Sequence, residues 1–170
     1  MLSLIIGGAG SGKSAFAEAL VQKQKCPIIY LATMAVTDAE SQARVERHRQ
    51  MRAGKGFETR ECSLNLKQLQ IPEGASILLE DLPNLLANER YSPEGGGTEA
   101  VRQGIAFLEA HSAGLTIVSG DLFSGGSAYD EESLFYLREL AALHRELAAR
   151  AELVAEIVCG VPYVLKGVLP

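Results

Sequence analysis

Eight residues near the amino end, Gly7-Gly8-Ala9-Gly10-Ser11-Gly12-Lys13-Ser14, have the spacing GxxxxGK[ST] and stand between an apolar run at 2–6 and a helix-forming stretch from Lys13. In that context the pattern holds a polyphosphate. Glycines let several backbone N–H groups converge on phosphate oxygens with no Cβ in the way. Lys13 has the reach for the β- and γ-phosphates, Ser14 can ligate Mg2+, and the amino end of the following helix adds favourable partial charge. These residues predict a nucleoside triphosphate site. Such a site also needs a carboxylate beyond another strand to organise the metal, and Ile77-Leu78-Leu79-Glu80-Asp81 offers two. Asp81, directly before Leu82-Pro83, suits a helix N-cap, which leaves Glu80 as the candidate metal ligand beside Ser14.

A second group follows. Thr37-Asp38-Ala39-Glu40 reads as a capping box, and the stretch after it is too polar for a core helix. Arg44, His48 and Arg52 recur at intervals of four, so they share one helical stripe. Two guanidinium groups one turn either side of an imidazole would grip phosphate oxygens. They would also disfavour the imidazolium, leaving a neutral ring nitrogen able to attack phosphorus. On the residues alone a plainer reading is favoured, a solvated helix with a Glu40–Arg44 pair and an idle histidine. The other histidines read as structural: His111 at a helix end, where a cation suits the dipole, and His144 within a long helix.

The elements that must position these groups alternate along the chain. Short apolar runs at 2–6, Ile28–Ala32, 77–80, 115–119 and 153–159 read as strands covered on both faces. Helical stretches fall at 13–25, 39–52, 98–110 and 130–149. The last carries Leu134, Leu137, Ala141 and Ala148 along one side, widened by Leu140, Leu143 and Leu147. The alternation predicts an α/β fold over 1–170 as one domain: a P-loop NTPase-like, doubly wound, mostly parallel sheet with helices on both faces. Gly160-Val161-Pro162 should turn the chain into a short antiparallel edge strand at 163–166. Residues 92–97 should form a loop. The glycine- and serine-rich stretch 120–128 follows a strand at its carboxyl end, where such folds place ligands.

Composition narrows the class. The chain has 170 residues, 47% hydrophobic and 22% charged, enough for a core that needs no disulfide or metal. A net charge of −5 argues against a nucleic-acid partner. No run approaches the length of a membrane span, and the apolar amino end is too short, and lacks the basic lead-in, for a signal peptide. Cys26, Cys62 and Cys159 form no CxxC pair, which suits reduced thiols in a cytoplasm. The three histidines lie at no close ligand spacing, so a structural zinc site is not expected.

These blocks, in this order, resemble the bifunctional adenosylcobinamide kinase / adenosylcobinamide-phosphate guanylyltransferase family of cobalamin biosynthesis. The match runs from residue 5 to Ser14, then through Tyr30-Leu31-Ala32-Thr33, Ala43-Arg44-Val45, His48-Arg49, Phe57-Glu58-Thr59 and Glu61. It continues in the strand at 77–80 with Asn88, and ends at Gly160-Val161-Pro162 with Lys166. The resemblance implies two reactions, phosphorylation of adenosylcobinamide by ATP or GTP and then transfer of GMP from GTP. It places the family's nucleophile on His48, which would attack the α-phosphorus, release pyrophosphate and pass GMP to the cobinamide phosphate. It further implies nucleotide contacts from Thr33, Arg44, Arg49, Arg52 and Glu61, Mg2+ as cofactor, and a homotrimer. The chain departs from the family pattern in three places. Phe57 stands for a usual Trp, and Gly120-Asp121-Leu122-Phe123 stands for Asn-Glu-Val-Gly. An acidic stretch, Ala128-Tyr129-Asp130-Glu131-Glu132, replaces a basic one. Two other readings stay open on the residues: a small-molecule kinase in which His48 only binds phosphate, and a non-catalytic nucleotide-binding regulatory protein.

Overall fold

The computed structural model describes residues 1–34, 46, 54–125 and 129–170. Within them the strands are β1 (Leu2–Gly7), β2 (Ile28–Ala32), β3 (Phe57–Glu61), β4 (Ser76–Glu80), β5 (Gly114–Gly120), β6 (Leu153–Val158) and β7 (Val161–Lys166). They form one sheet in the order β3-β2-β4-β5-β1-β6-β7. All neighbours pair parallel except β6 and β7, which pair antiparallel at the edge. The helices are α1 (Lys13–Gln22), α2 (Leu82–Tyr91), α3 (Gly97–His111) and α4 (Glu131–Arg150). The expected helix at 39–52, with its capping box and with Arg44, His48, Arg49 and Arg52, lies outside the described residues except for Glu46; so do residues 126–128 of the expected ligand loop.

Side chains alternate across a strand, and here both faces are apolar. Leu4, Ile29, Leu31, Ile77, Leu79, Leu115 and Ile117 meet Leu85, Leu86, Val101, Ile105, Leu108, Leu140, Leu143 and Leu147 of α2, α3 and α4. Their sequence neighbours Ile5, Tyr30, Leu78 and Val118 face the other way, against Ala17, Leu20 and Val21 of α1. Truncating one of these fully buried leucines costs about 2–5 kcal/mol. The α1 crossover therefore leaves β1 on one face toward β2, while α4 leaves β5 on the other face toward β6. Gly7 lies beside Gly120 in the register. The two connections diverge from there, a crevice of the kind in which α/β sheets hold ligands.

Four elements differ from the sequence expectation. β7 begins at Val161 rather than residue 163, because Val161 and Pro162 already pair with Val158 and Ile157 and the turn is confined to Cys159-Gly160. β3 was not foreseen, because Phe-Glu-Thr-Arg-Glu on an edge strand shows neither an apolar run nor clean alternation. α2 was foreseen only as a capped start; it is short and buries Leu82, Leu85 and Leu86. α1 stops at Gln22 rather than residue 25: Lys23 and Gln24 donate N–H bonds three residues back, to Leu20 and Val21, tightening the last turn before Pro27.

Candidate active site

The phosphate loop leaves β1 at Gly7 and enters α1 at Lys13. Gly10 and Gly12 have φ of 70° and 90°, a region that costs a side chain and favours glycine. At Gly7 the constraint is steric, since a Cβ there would lie 2.5 Å from Ser11 Oγ and 2.7 Å from the Ile157 carbonyl oxygen. The loop is braced from within and from both neighbouring strands. Ser11 N–H donates to the Gly8 carbonyl (3.2 Å), Asp121 N–H to the Gly7 carbonyl (3.0 Å) and Gly160 N–H to the Ser11 carbonyl (2.8 Å). Lys13 folds back so that its ammonium donates to the Gly8 carbonyl at 3.1 Å. It is thereby held over the loop whose N–H groups would meet phosphate.

Ser14 and Glu80, 66 residues apart in sequence, meet where α1 begins and β4 ends. The Ser14 hydroxyl donates to Glu80 Oε1 at 2.6 Å. Glu80 Oε2 is buried and has no hydrogen-bond partner. Burial raises the Glu80 pKa to about 7; Ser14 and Lys13 oppose the shift, while Asp81 and Glu18 add to it. A buried carboxylate with one free oxygen beside a serine hydroxyl fits a hard cation that also binds phosphate oxygens. Among the described residues no cluster of three or more His, Cys, Asp or Glu could hold a metal ion without such help.

Asp81 does the capping its position suggested. Its Oδ1 accepts the Asn84 N–H at 3.1 Å and its Oδ2 the Asn84 side-chain amide at 2.8 Å. It does so from a left-handed backbone, φ 72°, which is strained for a residue with a Cβ. Thr33 secures this turn: its hydroxyl lies 2.7 Å from the Glu80 carbonyl oxygen and 2.9 Å from that of Asp81. Asn88 donates to the Thr33 carbonyl at 2.7 Å. Thr33 is itself buried, so among the described residues its hydroxyl serves the acid turn.

Glu61 ends β3 at the opposite edge of the sheet. Four strand spacings, about 19 Å, separate it from Gly7, and two, about 10 Å, from Glu80 through the register Glu61–Ala32–Glu80, so the described structure brings residues 7–14 and Glu80 together and leaves Glu61 farther along the same end of the sheet.

One site feature escaped the sequence reading. His144 of α4 is buried, and its Nε2 lies 2.6 Å from Ser119 Oγ at the end of β5. Burial lowers its pKa to about 4, against a smaller upward pull from Asp121, and Phe123 packs edge-on at 5.5 Å. The imidazole is neutral, and it fixes α4 to the strand beside the phosphate loop. Its place in a helical stripe of leucines marked it as inward-facing, but nothing in the sequence named Ser119 as its partner. His111 does sit at a helix end, with Nδ1 2.8 Å from the Phe107 carbonyl oxygen.

The family model described as cobinamide kinase / cobinamide phosphate guanyltransferase matches residues 3–165. The chain is 33% identical to the bifunctional adenosylcobalamin biosynthesis protein CobP of Pseudomonas aeruginosa, over 98% of each chain. It is 28% identical to the bifunctional adenosylcobalamin biosynthesis protein CobU of Escherichia coli, over 98% of this chain and all of that one. Among solved structures, a Pyrococcus horikoshii OT3 protein superposes with a TM-score of 0.52 at 10% identity, covering 98% of this chain and 86% of that one. That likeness is one of fold.

Proposed function

The chain belongs to the cobinamide kinase / cobinamide phosphate guanyltransferase family, and from that premise we propose that it phosphorylates adenosylcobinamide with a nucleoside triphosphate and then transfers GMP from GTP to the product, giving adenosylcobinamide-GDP. The observation that carries the reading is the meeting of Ser14 and Glu80 under a braced glycine loop with Lys13 above it. This is the arrangement phosphoryl transfer needs, because positioning and charge stabilisation supply nearly all of its catalysis.

In the first reaction the acceptor hydroxyl oxygen bonds to the γ-phosphorus and gives up its proton to solvent, the bond to the β–γ bridging oxygen breaks, and nucleoside diphosphate leaves. The N–H groups of residues 8–14 orient the phosphates, and Lys13 swings from the Gly8 carbonyl to the β- and γ-oxygens. Ser14 and Glu80 would hold Mg2+, which when bound supplies charge to the phosphate oxygens. In the second reaction a ring nitrogen of His48 bonds to the GTP α-phosphorus, pyrophosphate leaves, and GMP passes to the cobinamide phosphate. Arg44, Arg49 and Arg52 supply positive charge to the phosphates, and Glu61 contributes to nucleotide binding. These assignments rest on spacing and family resemblance. The 170 residues act as one domain in a cytoplasmic homotrimer. Val161, Tyr163 and Leu165 of the edge strand β7 are each more than half exposed, an apolar stripe that supports self-association.

The test is intact mass and labelling after incubation with GTP and Mg2+. Label at the α-phosphate should be retained on the wild-type protein and label at the γ-phosphate should not. The bond should be acid-labile and alkali-stable, as a phosphorus–nitrogen bond is. His48→Ala should abolish labelling while cobinamide phosphorylation persists. Persistent α-label in that variant would sink the nucleophile assignment.

A further inference from the structure

A corrinoid acceptor is a flat conjugated ring fringed with amides and methyl groups, and its reacting hydroxyl must reach the γ-phosphate end of the nucleotide. We propose, resting on the functional reading above, that the ≈ 420 Å³ cleft between α2 and the start of α4, walled by Tyr91, Tyr129 and Tyr136 over Ala87, Leu122 and Leu137, seats one edge of that ring.

The cleft is continuous with the phosphate loop. Leu122 follows Asp121, whose N–H is bonded to the Gly7 carbonyl. The Leu122 and Pro83 side chains flank Gly120, 3.6 and 3.7 Å from where a Cβ would stand, and Gly120 is the register partner of Gly7. On the other wall, Tyr136 donates its hydroxyl to the Pro83 carbonyl at 2.8 Å, two residues beyond Asp81. A ligand lying here therefore borders the carboxyl ends of β4 and β5, beside the loop that would hold the phosphates.

Its lining matches a flat apolar ring rather than a second phosphate. Tyr91, Leu122 and Tyr129 are exposed, and Tyr91 and Tyr136 lie 6.4 Å apart, tilted 31°. Aromatic walls of this kind hold conjugated rings by face and edge contacts, with hydroxyls at the rim for amide groups. The nearby cation is engaged: Arg90 is bonded to Glu139 at 2.8 Å and lies 4.3 Å over the Phe135 ring. The volume suits an edge of the macrocycle, leaving the rest in solvent. Leu122 and Tyr129 come from the stretch in which this chain departs from the family pattern, so the cleft is also where its acceptor preference would differ from that of relatives.

The experiment uses the chain's own fluorescence. It has no tryptophan and five tyrosines, three of them in the cleft, so a bound corrin should quench tyrosine emission. Dicyanocobinamide is titrated into the whole protein in the presence of ADP and Mg2+. Equilibrium dialysis read at the corrin absorbance gives the affinity independently. Tyr91→Ala with Tyr129→Ala, and separately Ser133→Trp, which fills the cleft from a position that lines it, should each weaken cobinamide binding at least tenfold. They should raise its KM in phosphorylation similarly, while nucleotide affinity stays within twofold. Circular dichroism and sedimentation accompany each variant. Unchanged cobinamide affinity in both, with the wild type still phosphorylating cobinamide, overturns the cleft and leaves the functional reading standing. A wild type that neither binds nor phosphorylates cobinamide overturns both. Altered sedimentation with unchanged cobinamide affinity assigns the cleft to a second copy of the chain and overturns the proposal.

Discussion

Two buried groups near the phosphate loop carry displaced proton affinities of opposite sense, and their effects on stability should cancel until one is removed. Burial lowers His144 from its ordinary 6.5 to about 4 and raises Glu80 from 4.5 to about 7. Each displacement corresponds to about 3 kcal/mol at full development. Between about pH 4 and 6.5 the unfolded chain binds a proton at His144 that the folded protein refuses. That contribution to stability is complete above 6.5 and is lost as pH falls. Between 4.5 and about 7 the folded protein holds a proton on Glu80 that the unfolded chain has released. Its penalty is therefore absent below 4.5 and grows as pH rises. In the shared window, pH 4.5 to 6.5, the two slopes approach about 1.4 kcal/mol per pH unit with opposite sign. Glu80→Gln removes one of them, and stability should then fall by about 2–3 kcal/mol more than in wild type between pH 6.5 and 4.5. His144→Gln should do the reverse. Urea unfolding at fixed ionic strength, free of nucleotide and Mg2+, measures both. Glu146, held low by its hydrogen bond to Arg102, is common to all three proteins and drops out of the comparison, whereas Asp121, held low chiefly by Ser124 and in part by His144, contributes to the His144→Gln difference. If both variants track the wild type in parallel, the buried environments assigned to these two groups are wrong.

Lys13→Ala should lower the kinase rate by about 100-fold or more, the scale of losing one preorganised charge donor, with circular dichroism unchanged because the side chain buttresses no core. Glu80→Gln should reduce Mg2+-dependent turnover more than nucleotide affinity; if Asp81→Asn is the variant that abolishes activity instead, the two acids are assigned the wrong way round. Gly7→Ala must displace both Ser11 and the Ile157 carbonyl, each under 3 Å from the new methyl, and should cost about 1–3 kcal/mol of stability together with nucleotide binding, read by thermal melts with and without ATP.

What the sequence made legible follows physical lines. The phosphate loop was readable because its chemistry demands glycines at fixed spacing. The central strands were readable because burial on both faces demands unbroken apolar runs, as at Ile77-Leu78-Leu79. β3 failed for the opposite reason: an edge strand with exposed Glu58 and Glu61 need not be apolar, and only its pairing with β2 makes it a strand. The Thr33 hydroxyl goes to two carbonyls 47 and 48 residues away, a contact no local pattern encodes. The Ser119–His144 pair belongs to the same class. Polar groups that pair across long sequence separations are set by topology, and topology had to be seen.

That topology gives a reason for the two tethers beside the stretch that contains His48. On its amino side, Thr33 is buried and bonded into the Glu80–Asp81 turn. On its carboxyl side, Lys55 pairs with Glu18 of α1 at 2.6 Å, and Gln22 donates to the Lys55 carbonyl at 3.0 Å. Glu18 is buried while Lys55 is substantially exposed, so the carboxylate gains more from the pair than a surface ion pair would give. Both flanks are therefore tied to the elements that carry Glu80, Lys13 and Ser14. On the reaction proposed above, a His48 that attacks the α-phosphate and a glycine loop that holds the γ-phosphate need one rigid frame. Here that frame is the start of α1 and the end of β4, joined by the 2.6 Å contact between Ser14 and Glu80.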